Sequence, residues 1–445
     1  MKKANFGLYG LWALMALCAV SCQSYHELSL EPKALLEGYD GKSLAAPAVD
    51  VALESGHYRR SGSWNIGKLE TAAEVTMPTI LRAKAELELA KSDLVLASAS
   101  PPIGVSMDLQ RALSGLDPWT VGFSLDYTFE TAGKKGLRQI TATRRIDEAA
   151  LAVSKTRLDV RKAIALAYVN HLGAAERSAA LSRESSLLQE WQSALEKQEK
   201  LGETDRLEQF TLSRERAVLD RDLLEAKKLG RTSNAELGKS VGVPSSEMRA
   251  IALEPLPDHL PPAPELQKLQ QLAALSRPDV LEKLASYALS EADLRLEIAN
   301  QYPDVHLGPG FSFDQGQRKW LLAPSASILP DLNRAGIAKA EAARKVAWAV
   351  FLETQTTALG EVAIAWEEYR GSLFQLENAI KIAGKSTELC KAKSVLLDAG
   401  EGDLLSVLQA RYLESQDKAW VAVARFDAWR ALAELEAASG VKLIK

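Results

Sequence analysis

PWTVGFSLDYTFETAGKKG, Pro118 to Gly136, is the stretch on which the fold turns. Trp119, Val121, Phe123, Leu125, Tyr127 and Phe129 fall on one parity, and Thr120, Gly122, Ser124, Asp126, Thr128 and Glu130 on the other. Successive strand residues face opposite sides, so the pattern predicts a strand with one apolar and one polar face. Just upstream, Ile103, Val105, Met107 and Leu109 alternate with Gly104, Ser106, Asp108 and Gln110, which supplies the partner strand of a hairpin. Downstream, Gly133 and Gly136 turn the strand into a helical stretch, Arg138 to Lys200, with almost no breaker.

The same order returns about 200 positions later, and internal repeats outrank any single motif. MPTILRAKAELELAKSDLVLASASPPIGVSM from Met77 aligns with RPDVLEKLASYALSEADLRLEIANQYPDVHL from Arg277, placing Pro78 on Pro278. Gly136 falls on Gly336, Gly202 and Asp205 of LGETD on Gly400 and Asp403 of AGEGD, and Gly242 on Gly440. Each unit reads helix, strand, short loop, strand, very long helix, tight turn, helix. In the second unit the strands lie near Tyr302–Phe313 and Trp320–Leu329, where Pro309 and Pro324 disturb the alternation and argue against a regular ladder. The long helices, Arg138–Lys200 and Ile337–Leu397, would each run roughly 90 Å at the α-helical rise. Their abundant alanine and unbroken length predict close, coiled-coil-like packing. Glycine ends each long helix at a left-handed position, and Asp205 and Asp403 are placed to N-cap the returning helices. This divides the chain into a first repeat at 64–250, a Pro-rich linker at 251–274 that contains EPLPDHLPPAPE, and a second repeat at 275–445.

The chain has 445 residues and a net charge of −4, which gives no basic surface for nucleic acid. Residues 1–21 read as a secretory signal, with Lys2 and Lys3 ahead of an apolar run and small residues. Ala19-Val20-Ser21-Cys22 resembles a bacterial lipobox, in which the Cys becomes the lipid-modified first residue. The alternative is ordinary cleavage that leaves Cys22 a free thiol. Residues 22–63 show weak periodicity and predict an irregular, lipid-anchored segment. Cys18 leaves with the signal, so Cys390 has no structural partner. There is no HExxH, no phosphate-cradling glycine loop and no nucleophile turn, and the five His are scattered without metal-ligand spacing. Glu367 and Glu368 adjoin on a helix and diverge. The sequence therefore predicts no enzyme, no metal and no cofactor beyond the covalent lipid on Cys22.

Strands of about ten residues with one apolar face match transmembrane barrel strands. Four cannot close a barrel, and an open edge in lipid leaves backbone groups unsatisfied, so several chains must share one. The competing reading of the strands is a soluble sheet with one buried face. The export signal, the lipobox and the aromatics near strand ends, Trp119, Phe129, Tyr302 and Trp320, favour the membrane.

The repeated order, the RPDV at Arg277, the GEGDLLSVLQARYLE after the second long helix and the closing LAELEAASG resemble the TolC family of outer-membrane efflux proteins. The resemblance spans roughly 64–441. It implies a mainly α protein with a small transmembrane β portion: a homotrimer in which each protomer gives four strands to a 12-stranded β-barrel, continued by an α-helical barrel through the periplasm. It implies the outer membrane of a Gram-negative bacterium, and a duct for efflux or type I secretion fed by a periplasmic adaptor and an inner-membrane pump. FETAGKKGLRQ further resembles the cobalt–zinc–cadmium efflux branch, although Lys134, Lys135 and Arg138 are read here as interface residues snorkelling from a turn. Adaptor docking and gating would fall at the tips, on Gly202, Thr204 and Asp205 and on Gly400, Asp403, Leu404 and Leu405. The rival of another class is a lipid-anchored coiled-coil scaffold that conducts nothing.

Overall fold

The computed structural model describes residues 31–59, 62–111, 113, 119–200, 206–314, 317–326 and 332–444. The chain forms two units divided after Lys42. The described part of the first is helix α1 (Pro32–Asp40), opened by a proline in its first turn. The second unit begins with α2 (Pro47–Ser55), α3 (Ile66–Thr76), α4 (Pro78–Ser98), β1 (Gly104–Arg111) and β2 (Trp119–Phe129). Then come α5 (Lys134–Lys200), α6 (Arg206–Val241), α7 (Ser245–Ala250), α8 (Leu266–Ser276) and α9 (Pro278–Ala299). It ends with β3 (Val305–Asp314), β4 (Gln317–Ala326), α10 (Arg334–Asp398) and α11 (Leu404–Ser439).

Two features differ from the sequence reading, and a third, the second hairpin, forms as expected. Residues 22–63 are not irregular throughout, since α1 and α2 each start at a proline whose fixed φ suits a first helical turn. A short helix, α3 or α8, precedes the first expected helix of each unit, and within the 251–274 region the extended stretch ends with EPLPDHLPPAPE at Glu265. The second hairpin forms despite its prolines. Pro309 leaves a gap in the β2–β3 ladder between Ser124↔Gly310 and Tyr127↔Leu307, and Pro324 lies on β4, an edge strand of this sheet, where a missing donor is tolerated.

The duplication is visible in backbone conformation. Ala132 and Gly133 (φ 53° and 69°) and Leu332 and Asn333 (φ 51° and 58°) form matching left-handed pairs that turn each hairpin into its long helix. The turn is complete at these pairs, so α5 and α10 start a few residues before the expected Arg138 and Ile337. The two copies use their glycines differently. A Cβ on Gly336 would lie 2.4 Å from Asn333 Oδ1 and 2.8 Å from Glu297 Oε2, whereas one on Gly136 meets nothing within 4 Å. Asn333 Nδ2 donates to Glu297 O (2.9 Å) and Oε2 (2.7 Å). Gly336→Ala is expected to displace this carboxamide and cost about 1–2 kcal/mol. Gly136→Ala, in an open helical position, should instead gain up to about 1 kcal/mol. Thermal melting of the two variants checks the contrast.

Helices α5 and α10, 67 and 65 residues long, each span roughly 100 Å. α5 packs on α6 and α11, and α10 on α9 and α11. The main core gathers Leu53, Leu69, Ile164, Val241, Leu269, Val362, Leu432 and Leu435 from both repeats. Two tyrosines at equivalent places hold the linker. The Tyr168 hydroxyl lies against Trp64 O (3.0 Å) and Glu254 O, and Tyr369 donates to Pro261 O, while Trp366 Nε1 donates to Pro264 O (2.7 Å). A proline-rich strap has few donors of its own, so its carbonyls are satisfied by side chains of the helices beneath. The RPDV motif is structural as well. Pro278 opens α9, while Arg277 bonds Asp279 (2.9 Å), Ala438 O (2.9 Å) and Glu361, tying α9 to α10 and the end of α11.

Candidate functional site

The four strands make one antiparallel sheet in the order β1-β2-β3-β4. Register places Met107, Phe123, Phe311 and Trp320 in one cross-strand row, and Asp108, Gly122, Ser312 and Lys319 in the next. One face of the sheet is therefore mainly apolar, with Arg111 and Arg318 near its hairpin end, and the other mainly polar, with Leu321 on β4. The apolar face is bare: Phe123 is 50% exposed and Trp320 85%, and among the described residues no helix packs on the sheet. A soluble sheet buries such a face, and within this chain no described element does so. The outer edges of β1 and β4 have no partner strand among the described residues.

Hydrogen bonds organise the polar face. Thr120 Oγ1 donates to Asp314 Oδ1 (2.6 Å), Lys319 Nζ reaches Asp314 Oδ2 (2.6 Å), and the Ser106 and Ser124 hydroxyls meet at 2.6 Å. His306 Nδ1 lies 3.0 Å from Thr128 Oγ1 and 3.6 Å from Asp126 Oδ1. Of the four aromatics singled out from sequence, Trp119 starts β2 and Phe129 ends it, and Tyr302 precedes β3. Trp320 sits inside β4 rather than at its end, edge-on to Phe311 with ring centroids 5.3 Å apart.

At the junction of sheet and helices the snorkelling reading of Lys134 and Arg138 is corrected. Lys134 is buried, donating to Tyr302 O (2.6 Å) and pairing with Asp304 (2.9 Å). Arg138 forks onto Glu130, and Lys135, half-buried, reaches Ser100 Oγ (3.1 Å). The FETAGKKG run thus locks the end of β2 to the start of α5 and the entry to β3. Its charges serve this joint.

At the other end of the long helices, Gly400 (φ 76°) closes α10, with its N–H on Leu397 O and that of Glu401 on Leu396 O, both at 3.0 Å. Gly402 went unremarked in the sequence, yet a Cβ there would approach Leu397 N to 2.6 Å, so the turn needs both glycines. Asp403 N-caps α11, accepting from Ser406 N–H at 3.0 Å. Leu405 packs inward onto the cluster of Leu188, Leu195, Leu212 and Leu219. Leu404 stays 48% exposed and, with Leu408 and the α5 residues between Ser186 and Gln198, lines a groove of about 660 Å³. Gly202, Thr204, Asp205 and Cys22 lie outside the described residues. Within the seam of α5, α6 and α11, Glu184 is buried, and burial pushes its carboxyl up against the opposing pull of Arg177 and Arg183. Burial, with Glu215 and Glu184 nearby, pushes the Tyr412 hydroxyl up to about 12.

No protein-family model and no curated protein matches the sequence. Solved structures do. The outer-membrane protein VceC from Vibrio cholerae superposes with a TM-score of 0.70 at 17% identity, covering 85% of this chain and 97% of that one. The CmeC outer-membrane channel of Campylobacter jejuni gives 0.69 at 15% identity, over 94% and 93%. The open state of the MtrE outer-membrane channel of Neisseria gonorrhoeae gives 0.67 at 17% identity, over 85% and 89%. No described helix is long and apolar enough to cross a membrane. A four-stranded sheet bare on its apolar side, run directly into paired helices of about 100 Å and matched over nine-tenths of these neighbours' lengths, gives this chain the fold of the TolC-type outer-membrane channels.

Proposed function

We propose that the protein is the outer-membrane exit duct of a tripartite efflux or type I secretion system. The observation that carries this reading is the sheet with an uncovered apolar face, a polar face and two open edges. Lipid cannot satisfy an open strand edge, so the edges of β1 and β4 must pair with other copies. Three copies give twelve strands, enough for a water-filled interior lined by Asp126, His306 and Asp314. Trp119 would then serve the outer aromatic girdle, and Phe129 and Tyr302 the inner one, while Trp320 would lie within the apolar band beside Phe311. α10 supports the same assembly, since it leaves Trp348, Ile364 and Phe374 exposed along a helix of 65 residues. In this reading the chain performs no chemistry; it supplies a wall. Cys22 carries the lipid anchor, and the helices stand in the periplasm.

The helical tips take the adaptor and pump. The exposed Leu404 beside the α5–α11 groove offers an apolar foothold at the end of the duct, and the Gly400–Gly402 turn lets the tip shift between closed and open populations. A non-conducting scaffold would account for the long helices but has no use for a sheet bare on its apolar face. The test is reconstitution of detergent-extracted protein in planar bilayers. A detergent-resistant trimer whose conductance rises when Leu404→Asp loosens the tip supports the duct. A monomer, or a trimer silent with both intact and altered tips, leaves the scaffold.

A further inference from the structure

A groove of about 930 Å³ crosses α11 between α5 and α10, on the tip side of the chain's midsection. Four cations from three helices line it: Arg183, Lys391, Arg411 and Lys418. One carboxylate, Glu414, stands among them and is already engaged by Lys418 Nζ (2.6 Å) and Thr387 Oγ1 (2.9 Å). Arg183, Lys391 and Arg411 have no ion pair or hydrogen bond among the described residues. Several lysines elsewhere on these helices are neutralised one turn away, as in Lys381–Glu377, Lys385–Glu388 and Lys155–Asp159. Converging like charges cost stability through self-repulsion unless a counter-charge arrives.

The floor between the cations is apolar. Leu187 and Val395 contribute side chains, and the buried Cys390 thiol lies there with its pKa pushed up by burial and by Glu414, so it stays uncharged. A small-molecule site combines this same mixture, an apolar lining with a few placed polar groups, in a volume of roughly 300–1,000 Å³. A free inorganic anion would leave the floor unused, and a neutral apolar molecule would leave three cations unmatched.

We propose that this groove binds drug-sized organic anions, an apolar body against Leu187, Cys390 and Val395 with a carboxylate or sulfonate held by Arg183, Lys391 and Arg411. The site is argued from local charge and shape, and it stands whether or not the assembled protein conducts. It gives the chain a ligand preference of its own. In a duct, that preference would bias traffic near the tip toward anionic cargo.

The test uses full-length protein in non-ionic detergent, 2-naphthalenesulfonate as the probe and 2-naphthalenemethanol as its uncharged counterpart, with binding followed by calorimetry. The sulfonate should bind saturably with a Kd on the order of 0.1 mM, and the alcohol about tenfold or more weaker. Arg183→Glu/Arg411→Glu, at two exposed positions, should weaken the sulfonate by about tenfold or more while leaving the melting curve in place. A second readout is the modification of Cys390 by N-ethylmaleimide, read on its peptide by mass spectrometry: the sulfonate should slow it, and the alcohol should not. Equal binding of sulfonate and alcohol, or sulfonate binding unchanged in the folded double variant, overturns the proposal. Planar-bilayer conductance is measured separately, so a silent channel that still binds the sulfonate fails the duct and keeps the site.

Discussion

Arg161→Ala is expected to destabilise the helical part by about 3–5 kcal/mol, because it leaves a buried carboxylate without its cation. Arg161 on α5 has a side chain 7% exposed and pairs with both Glu436 of α11, 4% exposed, and Glu70 of α3. It also donates to Ile444 O at 3.1 Å. The other oxygen of Glu436 accepts the N–H groups of Leu443 and Ile444 at 2.8 and 2.7 Å. One guanidinium therefore joins the first repeat, the second repeat and the terminal residues after α11. Without it, Glu436 keeps two backbone donors and loses its counter-charge in a nearly dry site. Arg161→Lys should recover only part of the loss, since a lysine cannot present the planar fork that reaches Glu436, Glu70 and Ile444 together. Thermal unfolding by circular dichroism reports the magnitude, and hydrogen exchange at 441–444 reports the release of the terminal residues. An Arg161→Ala protein that melts with the parent and keeps those amides protected would show that the network is dispensable.

Nothing in the sequence pointed to that network. Arg161, Glu70 and Glu436 are ordinary charged helix residues in a chain that is 25% charged, and their burial depends on contacts between segments 91 and 275 positions apart. What the sequence does carry is periodic. Alternation over Trp119–Phe129 placed β2, and the long alanine-rich runs placed α5 and α10 to within a few residues. The duplicated glycine positions revealed two units before any contact was known. Pro309 and Pro324 count against a regular ladder, yet the second hairpin that the repeat predicts forms, because one ladder skips its contact at Pro309 and the other proline lies at an edge. One local signal misled. Lys134 was read as an interface lysine because Asp304, its partner, is supplied from 170 positions away. At the tip, the cap by Asp403 was legible from the residue type, whereas the need for Gly402 is a matter of Cβ clearance that only coordinates show.

The strongest discrimination between a membrane barrel and every soluble alternative comes from placing one charge on each face of the same sheet. Phe123 is near the middle of β2 on the bare apolar face, between Met107 and Phe311 of the neighbouring strands. Phe123→Arg is expected to cost about 2–4 kcal/mol in each protomer if that face meets lipid at mid-depth. A closed trimer suffers this three times over, so heat-resistant trimer should vanish from the outer-membrane fraction. Ser312→Arg stands on the adjacent row of the polar face, one strand away, beside Lys319. If that face lines water, this arginine stays solvated, and the trimer should form as in the parent with a shift in ionic selectivity as its trace. The two substitutions add the same side chain at neighbouring positions, so propensity and bulk largely cancel, and the difference reports the medium on either side. If Phe123→Arg gave normal trimer, the exposed apolar face would not be in lipid. If Ser312→Arg alone abolished assembly, the faces would be reversed, and the polar side would have to be an interface between proteins rather than a wall of water.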